Sequence, residues 1–169
     1  MMQAITFKML WGWVEIAASE KGLTSIDLST SNRRTSSRPQ QVGKGGEAVA
    51  VLTEAREQLS AYLEGTRQDF SLPVDGSAGT PFQRKVWKAI ARIPYGRVRS
   101  YKWVASRVGG KQYARAVGMA LGANPVPIVV PCHRIISQDG SLGGFSCGLP
   151  IKRRLLKLEG TWAQLRNAQ

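Results

Sequence analysis

The sequence predicts an α+β protein built from two domains. Three observations lead there. The first thirty residues read as β structure, with short apolar-rich runs between turn signals and alternation over Leu23–Leu28, and a helical stripe follows them. The second half carries helix caps and apolar stripes at helical spacing. The charge changes sign at a small-residue linker between the halves. Residues 1–79 hold 8 Lys and Arg against 9 Asp and Glu, net −1, whereas residues 80–169 hold 16 against 2, net +14. The expected domains are therefore 1–78 and 79–169, in a chain of 169 residues that is long enough to bury two small cores.

In the first half, Ile5–Leu10 and Trp13–Ala17 flank Trp11-Gly12, Glu20-Lys21-Gly22 makes a turn, and Leu23–Leu28 alternates again. The polar stretch 31–47 is expected to be a long loop. From Glu47 to Leu63, Ala48, Val51, Leu52, Ala55, Leu59, Tyr62 and Leu63 fall on one helical face, and Gly65 stops the helix. Asp69–Val74 reads as one more strand, followed by the linker Asp75–Gly79.

In the second half, Thr80-Pro81-Phe82-Gln83 supplies an N-cap, a proline at the first helical position and a capping-box partner. Phe82, Val86, Ala89, Ile90 and Ile93 give that helix its apolar face, and Pro94-Tyr95-Gly96 ends it. Ser100 caps the next helix, with Tyr101, Val104, Ala105 and Val108 as its stripe. Gly109-Gly110 turns the chain into a third helix over Gln112–Leu121. Two short helices across a glycine turn in a basic half predict a helix-turn-helix and a polyanionic partner, with nucleic acid foremost. On the third helix Arg115 is the only charge, flanked by Ala114, Ala116 and Gly118. Small residues there either let a groove approach closely or pack as ordinary core alanines.

The stretch from Asn124 to Ile136 carries the most chemistry. Val126–Val130 is apolar and β-branched and is expected to be a buried strand or extended segment, stiffened by Pro125, Pro127 and Pro131. Cys132 emerges at its end beside the sole histidine, His133, and Arg134. A nearby imidazole or cation favours a reactive thiolate. The alternative is a buried structural cysteine. Neighbours on extended backbone point apart, so contact between Cys132 and His133 needs a turn or a bridging water.

Other classes are set aside by composition. One histidine and two cysteines exclude a multi-histidine metal site, a structural zinc site and a disulfide framework. There is no phosphate loop and no nicotinamide fingerprint, so no cofactor and no metal are expected. No run of eighteen apolar residues predicts a membrane span, and the opening residues lack the form of a signal peptide. The expected compartment is the cytoplasm, with association to the nucleoid through DNA.

Pro131-Cys132-His133-Arg134, preceded by Asn124-Pro125, resembles the signature of the O6-alkylguanine-DNA alkyltransferases. Arg115-Ala116-Val117-Gly118 is similar to that family's recognition helix and arginine finger, and Ser100-Tyr101 to the opening of the preceding helix. Phe82–Trp87 and Leu155–Gly160, with Glu159 in place, are similar to the two ends of its C-terminal domain. The resemblance covers residues 80–160 in order. It implies a ribonuclease-H-like sheet-and-helix domain followed by a winged-helix-like domain with a helix-turn-helix.

It further implies irreversible transfer of an alkyl group from O6-alkylguanine in double-stranded DNA to Cys132, with O4-alkylthymine left open as a second substrate. The protein acts once and is consumed, as a monomer. His133 would take the thiol proton through a water and Glu159 would orient it. Tyr101 would donate to the purine, and Asn124 would brace the cysteine loop. Main-chain groups at Cys132, Ile135 and Ser146 would hold the guanine edge, behind a lip formed by Gly143, Gly144, Phe145 and Ser146. Arg115, on a helix made slim by Ala114, Ala116 and Gly118, would enter the minor groove and fill the gap left by a flipped nucleotide. A non-enzymatic lesion sensor of the alkyltransferase-like type is the alternative; such relatives lack the acceptor cysteine. Cys147 departs from the small residue usual in the lip.

Overall fold

The structure, a computed structural model, describes residues 1–30 and 46–167. The loop expected over 31–47 lies outside the described residues except for its last two. The chain divides into two compact units, Met1–Ala78 and Gly79–Gln169. The architecture is α+β, with a small antiparallel sheet and a helix first and a mainly helical unit second.

In the first unit, β1 (Gln3–Met9), β2 (Gly12–Ser19) and β3 (Gly22–Ser29) form an antiparallel meander in the order β1-β2-β3. The tight turns fall at Leu10-Trp11 and Glu20-Lys21. α1 (Glu47–Leu63) packs across all three strands. Its face buries Ala48, Leu52, Ala55, Leu59, Tyr62 and Leu63 as predicted; Val51 stays half-buried, and Gln58 is buried as well. Gln58 is satisfied there: its amide donates to Ser71 Oγ at 3.1 Å and its carbonyl accepts from the Ser71 amide at 3.0 Å.

The strand expected over Asp69–Val74 does not form. Only Val74 bridges to Leu23, with the Leu23 amide donating to Pro73 O and the Asp75 amide to Leu23 O, both at 2.8 Å. Pro73 has no N–H to extend a ladder. The segment approaches closely because residue 22 is glycine: at φ +137° a Cβ there would meet Pro73 O at 2.5 Å.

In the second unit, α2 (Pro81–Ile90), α3 (Tyr101–Val108) and α4 (Ala114–Gly122) pack against one another. Thr80 and Gln83 form the predicted capping box, and Ser100 Oγ accepts from the Trp103 amide. α2 ends at Ile90, before Pro94, and Ile93 is buried from the turn that follows. Val86, Ile90, Val104, Ala105, Val117 and Ile135 form the centre of the core. Trp87 Nε1 donates to Ala120 O at 2.8 Å and ties α2 to α4. A 3-10 turn, Lys111–Tyr113, precedes α4, so the third helix starts later than its sequence pattern indicates. β4 (Arg99–Ser100) pairs in parallel with β5 (Ile135–Ile136). α5 (Leu149–Leu158) and α6 (Trp162–Asn167) close the unit.

The expected strand at Val126–Val130 is instead a tight turn. The Val130 amide donates to Val126 O at 2.9 Å, and Ile128 sits at φ 76°. Three prolines in seven residues leave too few donors for a ladder, so the β-branched run is buried by plugging a turn into the core. A β-branched residue in the left-handed region costs about 1–3 kcal/mol and persists only where its surroundings over-determine it. Ile128 is 2% exposed, which provides that confinement.

Candidate active site

Asn124 follows the end of α4 and is buried. Its Oδ1 accepts from the Val126 amide at 3.1 Å, while Nδ2 donates to Val130 O at 2.9 Å and to Cys132 Sγ at 3.2 Å. One side chain therefore shapes the proline turn and touches the sulfur. Cys132 opens a 3-10 turn, Cys132–Arg134, that rotates successive side chains away from the alternation of extended chain. Burial pushes the Cys132 thiol up to about 11; the Asn124 hydrogen bond and the Lys152 charge oppose that shift, and Cys147 adds to it. The thiol is thus protonated at neutral pH and needs a base to react.

The next residue in the chain is His133. His133 is fully buried. Its Nε2 lies 2.6 Å from Glu159 Oε1. Burial of Glu159 raises its carboxyl, but hydrogen bonds from His133 and Arg134, together with the Arg134 charge, outweigh this and hold it at about 2. An ionised carboxylate only accepts, so Nε2 carries the proton. Burial also pushes the imidazole below its ordinary range despite Glu159. His133 is therefore neutral, with Nδ1 as its lone-pair nitrogen. Nδ1 is buried and has no hydrogen-bond partner among the described residues.

Arg134 completes the network and was not singled out from the sequence as a structural partner. Its Nε donates to Glu159 Oε2 at 2.9 Å, Nη2 to Oε1 at 3.0 Å, and Nη1 to Ile93 O at 2.6 Å. The Gly96 amide adds a bond to Glu159 Oε2 at 3.3 Å. These donors offset the unfavourable position of an acid at the C-cap of α5. Glu159 itself was the available signal. An acid in a half with only two acids, following the Ile151, Leu155, Leu156 stripe of a basic helix, calls for a buried cation.

Cys132 lines a cavity of about 560 Å³ with Tyr101, Ala114, Arg115, Gly118, Leu121, Gly122, Gly144, Phe145 and Ser146. α4 forms one wall and the chain at 144–146 the other. Tyr101, the first residue of α3, accepts from the Gly144 amide through its hydroxyl oxygen at 3.3 Å. Its own proton remains available to a ligand. Gly143, at φ +67°, lies so close beneath the Tyr101 hydroxyl that a Cβ there would clash with it. A Cβ on Gly118 would rest on the Tyr101 ring at an ordinary 3.7 Å. The Phe145 ring meets His133 edge-on, with centroids 6.4 Å apart.

Two predicted site residues, Ile135 and Ala116, stand apart from the cavity. Ile135 is a core residue whose carbonyl accepts from Lys152 Nζ, and it is not among the lining residues. Ala116 is half-buried on α4 and also does not line the cavity. Arg115 lines the cavity and is exposed; Met119, one turn on, is exposed and is not among the lining residues. Cys147 is half-buried and not disulfide-bonded. Among the described residues no group of three or more His, Cys, Asp or Glu gathers to hold a metal. Lys152 was also missed by sequence reasoning. Its signal is a lysine within the Ile151, Leu155, Leu156 stripe of α5, where Arg153 and Arg154 point outward.

Comparison with known proteins agrees with this geometry. Residues 81–161 match the family model described as 6-O-methylguanine DNA methyltransferase, DNA binding domain. Residues 5–76 match its ribonuclease-like domain. The methylated-DNA–protein-cysteine methyltransferase of Methanosarcina barkeri is 41% identical over 148 residues, 88% of this chain and 90% of the relative. That of Mycobacterium bovis is 49% identical over 109 residues, 64% of this chain and 66% of the relative. Among solved structures, Mycobacterium tuberculosis OGT in complex with DNA superposes with a TM-score of 0.79 at 37% identity, covering 95% of this chain and 94% of that one. A cysteine on a cavity floor, a neutral histidine tied to a buried carboxylate and two matched domains lead to one conclusion: the chain belongs to the O6-alkylguanine-DNA alkyltransferase family, the methylated-DNA–protein-cysteine methyltransferases.

Proposed function

We propose that this protein repairs DNA by moving the alkyl group of O6-alkylguanine onto Cys132, once per molecule. The observation that carries the reading is Cys132 lining a cavity bounded by α4 and the 144–146 lip. Solvent relays the thiol proton to His133 Nδ1, whose opposite nitrogen is fixed on Glu159. A bond forms between sulfur and the alkyl carbon as the carbon–O6 bond breaks. The electron pair leaves with the guanine, which takes up a proton to balance the one accepted by His133. The Tyr101 hydroxyl donates to the purine as that charge grows. Asn124 holds the sulfur in line. Main-chain groups of Cys132 and Ser146 fit the guanine edge; Ile135, with its carbonyl engaged by Lys152, fits that role less well. The thioether product resists reduction, so the protein is spent.

The lesion lies inside the duplex stack, so the nucleotide must leave it. Exposed Arg115 suits the vacated gap, with Ala114, Ala116 and Gly118 keeping α4 slim enough for the minor groove. The net charge of +14 on residues 80–169 supports binding that is insensitive to sequence and steeply dependent on salt. Residues 79–169 form the DNA-binding and transfer domain and 1–78 a separate supporting domain; the protein acts as a monomer. No described helix is long and apolar enough to cross a membrane, and a DNA substrate makes the cytoplasm and nucleoid its place of work. The sensor alternative is disfavoured because the acceptor cysteine is present.

Intact-protein mass spectrometry after incubation with an O6-methylguanine oligonucleotide tests the proposal. A stoichiometric gain of one methyl, mapped to Cys132, is expected. Retained lesion binding without mass gain would move the protein to the sensor class.

A further inference from the structure

The proposed chemistry leaves one buried charge without a role. Lys152 is fully buried on α5, just ahead of exposed Arg153 and Arg154. Its Nζ donates to Ile135 O at 2.5 Å, Leu142 O at 2.5 Å and Gly144 O at 3.1 Å. Three acceptors use the three protons of an ammonium. All three are neutral carbonyls, an expensive environment for a buried cation. We propose that Lys152 is a positioning residue for alkyl transfer: its ammonium pins the pocket lip to the strand behind Cys132 and maintains the positive potential in which the Cys132 thiolate forms.

Two of the acceptors bracket Gly143, the residue pressed against the Tyr101 hydroxyl, and Gly144 also gives its amide to that hydroxyl. The third acceptor, Ile135, lies three residues after Cys132 and pairs with Arg99, next to the cap of α3. A single side chain therefore fixes the lip relative to both the nucleophile and Tyr101. The charge acts on the same groups. Burial lowers Lys152 to about 8 and the Cys132 charge opposes that, while Lys152 in turn lowers the Cys132 thiol. The titratable groups around it are Cys132 and His133, the latter already committed to Glu159 and Arg134. Lys152 and Glu159 stand seven residues apart, two turns along one face of α5. One face thus supplies a cation toward the thiol and an anion to its base.

The inference rests on Cys132 as nucleophile, and its test does not require alkyl transfer from DNA. In a Cys147→Ala background, the pH profile of Cys132 alkylation by iodoacetamide is compared for the parent, Lys152→Met and Lys152→Arg, alongside affinity for an O6-methylguanine duplex. Lys152→Met is expected to shift the profile to higher pH and slow alkylation about tenfold at pH 8, one unit of thiol pKa. Lesion affinity should stay near that of the parent, and Lys152→Arg should recover most of the rate. An unmoved profile in Lys152→Met, or equal loss of rate and affinity without rescue by arginine, overturns the proposal. If the variants do not fold, wild-type protein with 13C-labelled lysine decides: one lysine signal must change its titration when Cys132 is alkylated, and no change overturns it. A parent that accepts no methyl from DNA but shows the lysine effect would refute the repair function and leave this inference standing.

Discussion

Replacing Glu159 by Gln removes the one anion in a buried cluster of His133, Arg134 and the Gly96 amide. The amide presents a donor where an oxygen stood, leaving the Arg134 guanidinium, 6% exposed, without its counter-charge. Two routes give the cost. Holding the carboxyl at about 2 against an ordinary 4.5 corresponds to about 3 kcal/mol at neutral pH. Removing one partner of a buried pair costs about 3–5 kcal/mol. A loss of about 3 kcal/mol is expected, on the order of 10 °C in Tm. Arg134→Met should cost a similar amount, because it strands the carboxylate. The double variant should lose less than the sum by about 2 kcal/mol, since neutral Gln needs no counter-cation and still accepts from His133 Nε2. Urea unfolding followed by tryptophan fluorescence measures all three. Methyl transfer should remain slow in the double variant, because a neutral partner does not support the imidazole as it takes a proton. A single-variant loss below about 1 kcal/mol, or strict additivity, would refute the argument that charge pairing holds this cluster.

Three further outcomes are expected. Gly143→Ala should displace Tyr101 and slow transfer about tenfold or more with lesion affinity little changed, because a Cβ there strikes the phenol oxygen and φ +67° disfavours it; single-turnover kinetics checks this. Acidification should destabilise the protein in two stages. Neutral buried His133 favours unfolding as pH falls below 6.5, where only the unfolded imidazole is protonated. Glu159 then contributes a loss between 4.5 and about 2, and Glu159→Gln should flatten that lower limb in a pH series of urea midpoints. Arg115→Ala should slow repair of duplex DNA far more than reaction with free O6-alkylated base, and equal slowing would remove Arg115 from the flipping step.

Local rules carried much of the molecule. The strands, α1, the Thr80–Gln83 capping box and the Ser100 cap depend on side-chain period and short-range hydrogen bonds, so they were legible residue by residue. So was the pairing of His133 with Glu159, through the order of motifs resembling one family. Segments with local signals in conflict were misjudged. Val126–Val130 has β-branched side chains but too many prolines for a ladder, and tertiary burial settled it as a turn. Asp69–Val74 has strand composition but only one bridging residue.

The three first strands, the capped helices, the basic second half and the residue types able to carry thiol chemistry follow from composition, period and spacing. Only the tertiary structure decided what each charge is worth. Arg134 and Lys152 read as two more cations in a basic half. Folding places the first 2.9 Å from Glu159 and surrounds the second with three carbonyls. Their energies depend on desolvation and on partners 25 and 8–17 residues away, quantities that no local pattern encodes.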